Sequence, residues 1–305
     1  MPDLTNPTAQ DLADAVERVA ASVIGLGSHR RGFAAACLWQ PGVVVTSATA
    51  VWRASKVRLV LPSGESIVGE VRGVDAATDL AVITADAPGV SAVERRLDAA
   101  PRAGDFVFAV GREPSGQVQA SFGHVGAAGG AWRTWRGGQI DRLIRLDGGL
   151  YPGLQGAPVA DASAQVIGVA SHALSRLHAV VLPVATVERV TAALLAHGLV
   201  ARGYLGVAAQ PVPLSEPLRS ALATHSETGL LVHGVADDGP AARAGVMVGD
   251  IVVAAGGQDV TTVEGLRDLL AAEQVGDRLR LRVSRGGQPL DLSVDVAARS
   301  PSRCH

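Results

Sequence analysis

Aromatic side chains are scarce: Phe, Trp and Tyr together make up 3% of the 305 residues. Any hydrophobic core must therefore be built from Val, Leu, Ile and Ala. Cysteine is nearly absent as well. Cys37 sits inside an apolar run and Cys304 beside the C-terminus, which excludes a disulfide scaffold. Lysine occurs once, as Lys56, among 27 basic residues that are spread between 29 acidic ones. With a formal net charge of −2 and no dense basic block, nothing provides the electrostatic footprint of a nucleic-acid binder. No apolar run reaches the length of a membrane span. The first ten residues lack the basic start and apolar stretch of a signal peptide. A native start at Met1 then implies a cytoplasmic protein, whereas a trimmed start implies a periplasmic or otherwise extracytoplasmic one. The histidines show no H-E-x-x-H or comparable ligand spacing, so neither a metal nor another cofactor is expected.

What is present describes a folded, loop-rich protein long enough for two or three compact units: 48% hydrophobic residues, 18% charged, 36 Gly and 16 Pro. Residues Asp11–Ser22 carry Leu12, Val16, Val19 and Ala20 at helical spacing, which predicts a short amphipathic helix leading into the first strand. Beyond it, short Val/Ile/Leu-rich runs alternate with turn signals at Pro41-Gly42, Ser63-Gly64, Pro88-Gly89, Ala103-Gly104, Ser115-Gly116 and Gly137-Gly138. That rhythm predicts an all-β barrel or sandwich with few helices. A helix over Val187–His197, stopped by Gly198, closes this module. From Gly203 the pattern becomes strand, loop, strand, a short helix near Pro240–Ala244, two strands, a helix over Thr262–Ala272 and closing strands.

Three segments in the first module, between about Val23 and Pro183, resemble the trypsin-like domain of HtrA (Deg) proteases. Val43-Val44-Val45-Thr46-Ser47-Ala48-Thr49-Ala50-Val51 is similar to the family's T-N-A-H-V-V segment, with Thr49 at the place of the general-base histidine. Val74 to Ile83 is similar to D-x-x-x-D-L-A-V-L, with Asp79 at the place of the aspartate that orients that histidine. Tyr151-Pro152-Gly153-Leu154-Gln155-Gly156-Ala157-Pro158-Val159 is similar to P-G-N-S-G-G-P-L, with Gln155 at the place of the nucleophilic serine. A hydroxyl becomes a nucleophile when an imidazole takes its proton and a carboxylate holds that imidazole. Thr49 is not basic near neutral pH, and the Gln155 amide forms no acyl intermediate. The triad positions Thr49, Asp79 and Gln155 are thus expected to be degenerate, with a hydroxyl or backbone amide as the new partner of Asp79. An oxyanion-loop remnant at Gly153 and Gln155 is expected to bind without cutting. Ser47, Ser121, Ser171, His29, His124, His172 and His178 lie outside the matched positions and are expected on the surface or in loops. Cys37 is expected to be a buried, inert thiol.

The second module resembles the PDZ domain of the same family. Its signals are Arg202-Gly203-Tyr204-Leu205-Gly206-Val207, Gly229-Leu230-Leu231-Val232, Gly239-Pro240-Ala241-Ala242-Arg243-Ala244-Gly245-Val246 and Val248-Gly249-Asp250-Ile251-Val252. The resemblance implies peptide capture: amides of Tyr204, Leu205, Gly206 and Val207 for a terminal carboxylate, and Leu205, Val207, Leu266, Leu269 and Leu270 for an apolar pocket, several of which fill the core on the alternative reading.

The expected organisation is a helical leader over 1–22, a trypsin-like double β-barrel over 23–197, a linker over 198–202, a PDZ domain over 203–297 and a tail over 298–305. The expected function is that of a non-cleaving HtrA homologue acting as a peptide- or protein-binding regulator, adaptor or chaperone-like subunit. Two alternatives stand beside it: an active serine endopeptidase with a rearranged site, and a structural partner of an active protease paralogue. Expected partners are C-terminal or unfolded peptides, with a homo-oligomer (trimer) or a mixed assembly implied by the family.

Overall fold

A computed structural model describes residues 9–28, 32–151, 153–175, 177–200, 203–272 and 275–298. They form two compact units, Met1–Val200 and Ala201–His305. His29, Cys304, the Ala201–Arg202 part of the expected linker and most of the expected tail lie outside the described residues.

The first unit contains two closed six-stranded barrels. Strands Val23–Ser28, Gly32–Gln40, Val43–Ser47, Leu80–Thr84, Ser66–Asp75 and Lys56–Val60 follow one another around the first. The second runs Leu143–Leu146, Val180–Pro183, Val166–Ser171, Pro158–Asp161, Phe106–Arg112 and Val118–Gly129. Closure leaves no edge strand, and the turns between strands are those the glycines mark: Gly42, Gly64, Gly89, Gly104, Gly116 and Gly137 all have positive φ.

Period-two alternation splits each strand between two cores. Along Gly32–Gln40, Ala36 and Leu38 join Ile24, Leu59 and Ile83 inside the first barrel, whereas Cys37 and Trp39 join Val45, Phe108 and Leu182 in the core shared by both barrels. Val43–Ser47 is buried on both faces. The Cys37 thiol is fully buried and pushed up to about 12 by that burial, against a small opposing pull from the Arg95 charge, so it stays protonated and unreactive.

The N-terminal helix runs Ala9–Ala20, and Ala15, Val19 and Ala20 are buried in the shared core. The helix falls in the same compact unit as the barrels, whose side chains cover its apolar stripe. Arg112 fixes its end, donating from Nη2 to the Ala20 carbonyl at 2.8 Å and from Nε to the Val23 carbonyl at 3.0 Å. The closing helix, Val184–His197, ends on Gly198 at φ 72°, whose N–H returns to the Leu194 carbonyl at 2.8 Å.

In the second unit, strands Val207–Pro213, Thr228–Val235, Ile251–Ala255, Arg278–Arg285 and Gln288–Asp295 form one antiparallel sheet in that order. Helices Pro240–Arg243 and Val263–Ala272 lie where the pattern predicts them. A third, Glu216–Leu222, falls in a segment read as loop: Pro217 at its first turn was a usable start signal, and Leu222 is the apolar side chain it buries. Arg285 clamps the unit's tight turn, donating to both Asp250 carboxylate oxygens at 2.8 Å and to the Gly245 carbonyl at 2.6 Å. Among the described residues no helix is long and apolar enough to cross a membrane.

Candidate functional site

Asp79 is the hub of a polar cluster between the barrels. It is almost fully buried and holds φ 57°, a left-handed conformation that Asp tolerates better than most residues. The loop before it is built to carry that strain. Asp75 accepts from Thr78 Oγ1 at 2.6 Å and from the Ala77 amide at 3.3 Å, and Thr134 Oγ1 donates to the Ala77 carbonyl at 2.7 Å. Gly138 approaches the same carbonyl so closely that a Cβ there would sit 2.3 Å from its oxygen.

Four donors converge on the Asp79 carboxylate. Ser47 Oγ lies 2.8 Å from both oxygens, Ser171 Oγ donates to Oδ2 at 2.7 Å, the Thr49 amide donates to Oδ1 at 3.1 Å, and Gln155 Nε2 donates to Oδ2 at 2.7 Å. A carboxylate offers about four acceptor sites, so the set fills it. Burial pushes the Asp79 carboxyl up, and the hydrogen bonds from Ser171, Ser47, Thr49 and Gln155 pull against that rise without cancelling it.

Gln155 reaches across the interface between the barrels. Its Nε2 is also 2.6 Å from Ser47 Oγ and 3.1 Å from Thr49 Oγ1, while its Oε1 accepts the His172 amide at 2.8 Å. Its own carbonyl accepts from the Ala35 amide at 3.0 Å. The side chain therefore ties the first barrel (Ser47, Thr49, Asp79) to the second (His172) at both ends of one amide group. The His172 imidazole is lowered by burial, with the Asp79 charge opposing.

Thr49, Asp79 and Gln155 thus meet in space as the resemblance implies. Two contributors differ from expectation. Ser47 and Ser171 are fully buried, and Ser121 nearly so, although all three were expected on the surface or in loops. Ser47 ends a strand buried on both faces and caps the turn Ala48–Val51 by accepting from the Thr49 amide at 3.2 Å; Ser171 ends the buried strand Val166–Ser171. Ser preceding a short helical turn was a readable signal for the first; nothing local pointed to the second. His124 lies in the strand Val118–Gly129 with its ring against Phe106.

The loop that carries Gln155 keeps its glycines for steric reasons. A Cβ at Gly153 (φ 93°) would meet the Phe33 ring at 2.1 Å, and one at Gly156 (φ 80°) would lie 2.5 Å from Thr46 Oγ1 and 2.6 Å from the Ala35 carbonyl. Leu154 between them is fully buried in the second barrel, and the Gly156 and Leu154 amides donate to the Ala170 and Tyr151 carbonyls.

Residues 34–169 match the trypsin-like peptidase domain family and residues 203–296 match the PDZ domain family. The chain is 32% identical over 266 residues to a probable periplasmic serine endoprotease DegP-like of Brucella suis, covering 85% of this chain and 51% of that protein. It is 30% identical to the putative serine protease HhoB of Synechocystis, covering 83% of this chain and 63% of that one. The HtrA-type protease AlgW, solved with a tripeptide, superposes with a TM-score of 0.71 at 26% identity, over 95% of this chain and 97% of that one. The chain is an HtrA-like serine-protease homologue with one PDZ domain. It spans 51% of the Brucella relative's length.

In the PDZ domain of this HtrA homologue, the Tyr204–Val207 loop is held by its carbonyls. The Leu205 carbonyl accepts from the Ala241 amide at 2.8 Å and the Gly206 carbonyl from the Ala236 amide at 2.7 Å. In a trans peptide the following N–H points opposite to the carbonyl. The Gly206 and Val207 amides therefore face away from those partners, and Gly206 at φ 82° permits the turn. Leu205, Leu266 and Leu270 are buried in the domain core, whereas Tyr204, Val207 and Leu269 are half-buried. Among the described residues no cluster of His, Cys, Asp or Glu is placed to hold a metal ion.

Proposed function

We propose that this chain is a non-cleaving HtrA homologue that captures C-terminal peptides through its PDZ domain and serves as a regulator or adaptor. The observation that carries the reading is the position of the Gln155 amide. Acyl transfer on this scaffold needs an imidazole between the Asp79 carboxylate and a nucleophilic hydroxyl. Gln155 Nε2 lies 2.7 Å from Asp79 Oδ2 and 2.6 Å from Ser47 Oγ, which is direct contact and leaves no room for a ring between them. Thr49 supplies a hydroxyl and an amide but no base. Ser47 and Ser171 donate their protons to Asp79 and are shielded from solvent, so neither substitutes as nucleophile. His172 contributes its backbone amide to Gln155.

The relatives are named serine endoproteases, which makes residual proteolysis the competing reading. Incubation of the purified chain with unfolded casein separates the two. The expected outcome is intact casein after prolonged incubation. Cleavage that survives removal of trace proteases and disappears on substitution of Ser47 or Ser171 contradicts the proposal.

The PDZ half of the reading rests on the outward amides of Gly206 and Val207 at the start of an edge strand, donors of the kind that hold a terminal carboxylate. A homo-oligomeric state is part of the same proposal.

A further inference from the structure

Two of the four tryptophans serve the interior: Trp39 is fully buried and Trp132 packs against the same core. The other two do not. Trp52 is 46% exposed and Trp135 70% exposed, in a chain whose aromatic residues total 3%. Each is followed directly by an arginine whose guanidinium lies over the indole, Arg53 at 6.0 Å and Arg136 at 4.5 Å from the ring centroid.

Both pairs hang on the loop that carries Asp79. The Trp52 pair follows the turn Ala48–Val51, whose Ala48 amide donates to the Asp79 carbonyl at 3.0 Å and whose Thr49 amide donates to Asp79 Oδ1 at 3.1 Å. Arg53 holds φ 61°, a left-handed conformation that costs energy at a non-glycine residue. The Trp135 pair forms the tip of the hairpin made by Trp132–Arg133 and Gln139–Ile140. Thr134 Oγ1 donates to the Ala77 carbonyl at 2.7 Å, Arg136 Nη1 to the Ala76 carbonyl at 3.3 Å, and the Gly137 amide to the Thr134 carbonyl at 2.8 Å. That tip is pinned with its ring held out to solvent. Asp75 and Asp79, the carboxylates of the shared loop, are both buried, and residues 48–55 and 131–140 contain no Asp or Glu.

The surface thus presents an amphipathic ring beside a fixed cation, twice, with no exposed acid on the loop that joins them. Indole and guanidinium together suit the boundary of an anionic bilayer, where the ring sits at headgroup depth and the cation meets phosphate. Both pairs stand on turns, and a turn tip can enter a fluid interface, whereas an acidic peptide needs a groove to lie in. We propose that the barrel unit docks peripherally on anionic membrane surfaces through the Trp52-Arg53 and Trp135-Arg136 tips. Contact of this kind lies on the bilayer and needs no spanning helix. It is independent of the PDZ reading, since the tips belong to the first unit and peptide capture to the second.

The test uses the full chain and vesicles of phosphatidylcholine with and without phosphatidylglycerol. Cosedimentation is expected with the anionic vesicles, weakening as salt is added, and not with phosphatidylcholine alone. Lipid brominated near the headgroup should quench part of the tryptophan emission. Trp52→Phe and Trp135→Phe should each remove a share of that quenching and together abolish it, while Trp39 and Trp132 continue to report the native fold. Arg136→Gln is expected to weaken binding about fivefold, the effect of one cation beside an anionic leaflet. Trp135→Ala is expected to weaken it about tenfold through lost apolar burial. No cosedimentation with anionic vesicles, equal binding to neutral ones, or quenching that survives in the double Phe variant overturns the proposal. Quenching of only one of the two exposed tryptophans overturns it too. Soluble polyglutamate that shifts the emission as strongly as vesicles do would assign the tips to an acidic protein partner and overturn the membrane reading. Cosedimentation and quenching of the unaltered chain need no variant, so a misfolded variant leaves the test decisive.

Discussion

The barrel site and the PDZ loop are both held by close glycine packing and by backbone hydrogen bonds, yet their polar groups are spent differently. Around Asp79 every donor is turned inward: Ser47, Ser171, Thr49 and Gln155 bond the carboxylate or one another. In the PDZ loop the carbonyls of Leu205 and Gly206 are tied to the domain, which leaves the following amides aimed outward. The comparison teaches that a site's geometry survives in either case, but a group already bonded to its neighbours is structure, and a group aimed away from them is available to a ligand. On the proposed reading the barrel cluster contributes stability and the PDZ loop contributes binding.

The sharpest contrast should come from glycine. Gly156→Ala places a methyl within 2.5 to 2.7 Å of Thr46 Oγ1, the Ala35 carbonyl and the Ser47 amide at φ 80°. It is expected to cost roughly 3 kcal/mol or more, because two of those neighbours are backbone. Gly245→Ala, at a similar φ of 83° but with open space around the added carbon, should cost only about 1 kcal/mol in the PDZ domain. Urea unfolding checks the first through tryptophan emission, since Trp39, Trp52, Trp132 and Trp135 all belong to the first unit. Amide exchange in the strand Ile251–Ala255 checks the second.

Asp79→Ala comes next. It strands two hydroxyls, a side-chain amide and a backbone amide in a buried space, and should lower the stability of the barrel unit by about 3 kcal/mol. Peptide affinity of the PDZ domain should be unchanged, a separation that a stability role predicts. Gln155→Ala removes the link between barrels but leaves Asp79 three donors, so about 1–2 kcal/mol is expected in the same tryptophan assay.

The smallest effect concerns pH and lies in the second unit. Burial pushes the Asp250 carboxyl up, but the Arg285 and Met247 hydrogen bonds and the Arg285 charge outweigh it and hold the group below its ordinary value. A depressed folded value stabilises above the ordinary carboxylate range, near pH 4, and the contribution fades as pH falls through the folded value. Exchange protection in Ile251–Ala255 should therefore drop on acidification, and Asp250→Asn should flatten that drop.

Much of the fold was legible because it is written in local chemistry. Gly42, Gly64, Gly104 and Gly198 mark turns and a helix end that need positive φ, and the residues do adopt it. The resemblance implied that Thr49, Asp79 and Gln155 would meet. Ser171 was not legible: its contact with Asp79 spans 92 residues of sequence and depends on how two barrels close on each other, which no spacing rule encodes. Ser47 was half legible: a serine before a short helical turn signals a cap, but its burial was not, since a serine at a strand end is usually solvated and here both sides of its strand are covered. The division of the PDZ leucines between core and groove also awaited the structure, because helix periodicity defines a stripe without saying what covers it. Leu266 and Leu270 face the core.

The measurement that bears most directly on the account is labelling by a fluorophosphonate, which reacts only with an activated serine. The unaltered chain should remain unlabelled, as should Thr49→His and Gln155→Ser alone, because base and nucleophile act as one unit. The double variant restores imidazole and hydroxyl beside Asp79, with Leu154→Asn and Ala157→Gly added where the loop must reopen its amides, and should take up the probe. Labelling of the unaltered chain at Ser47, Ser171 or any other serine would contradict the claim that Gln155 has closed this site to chemistry.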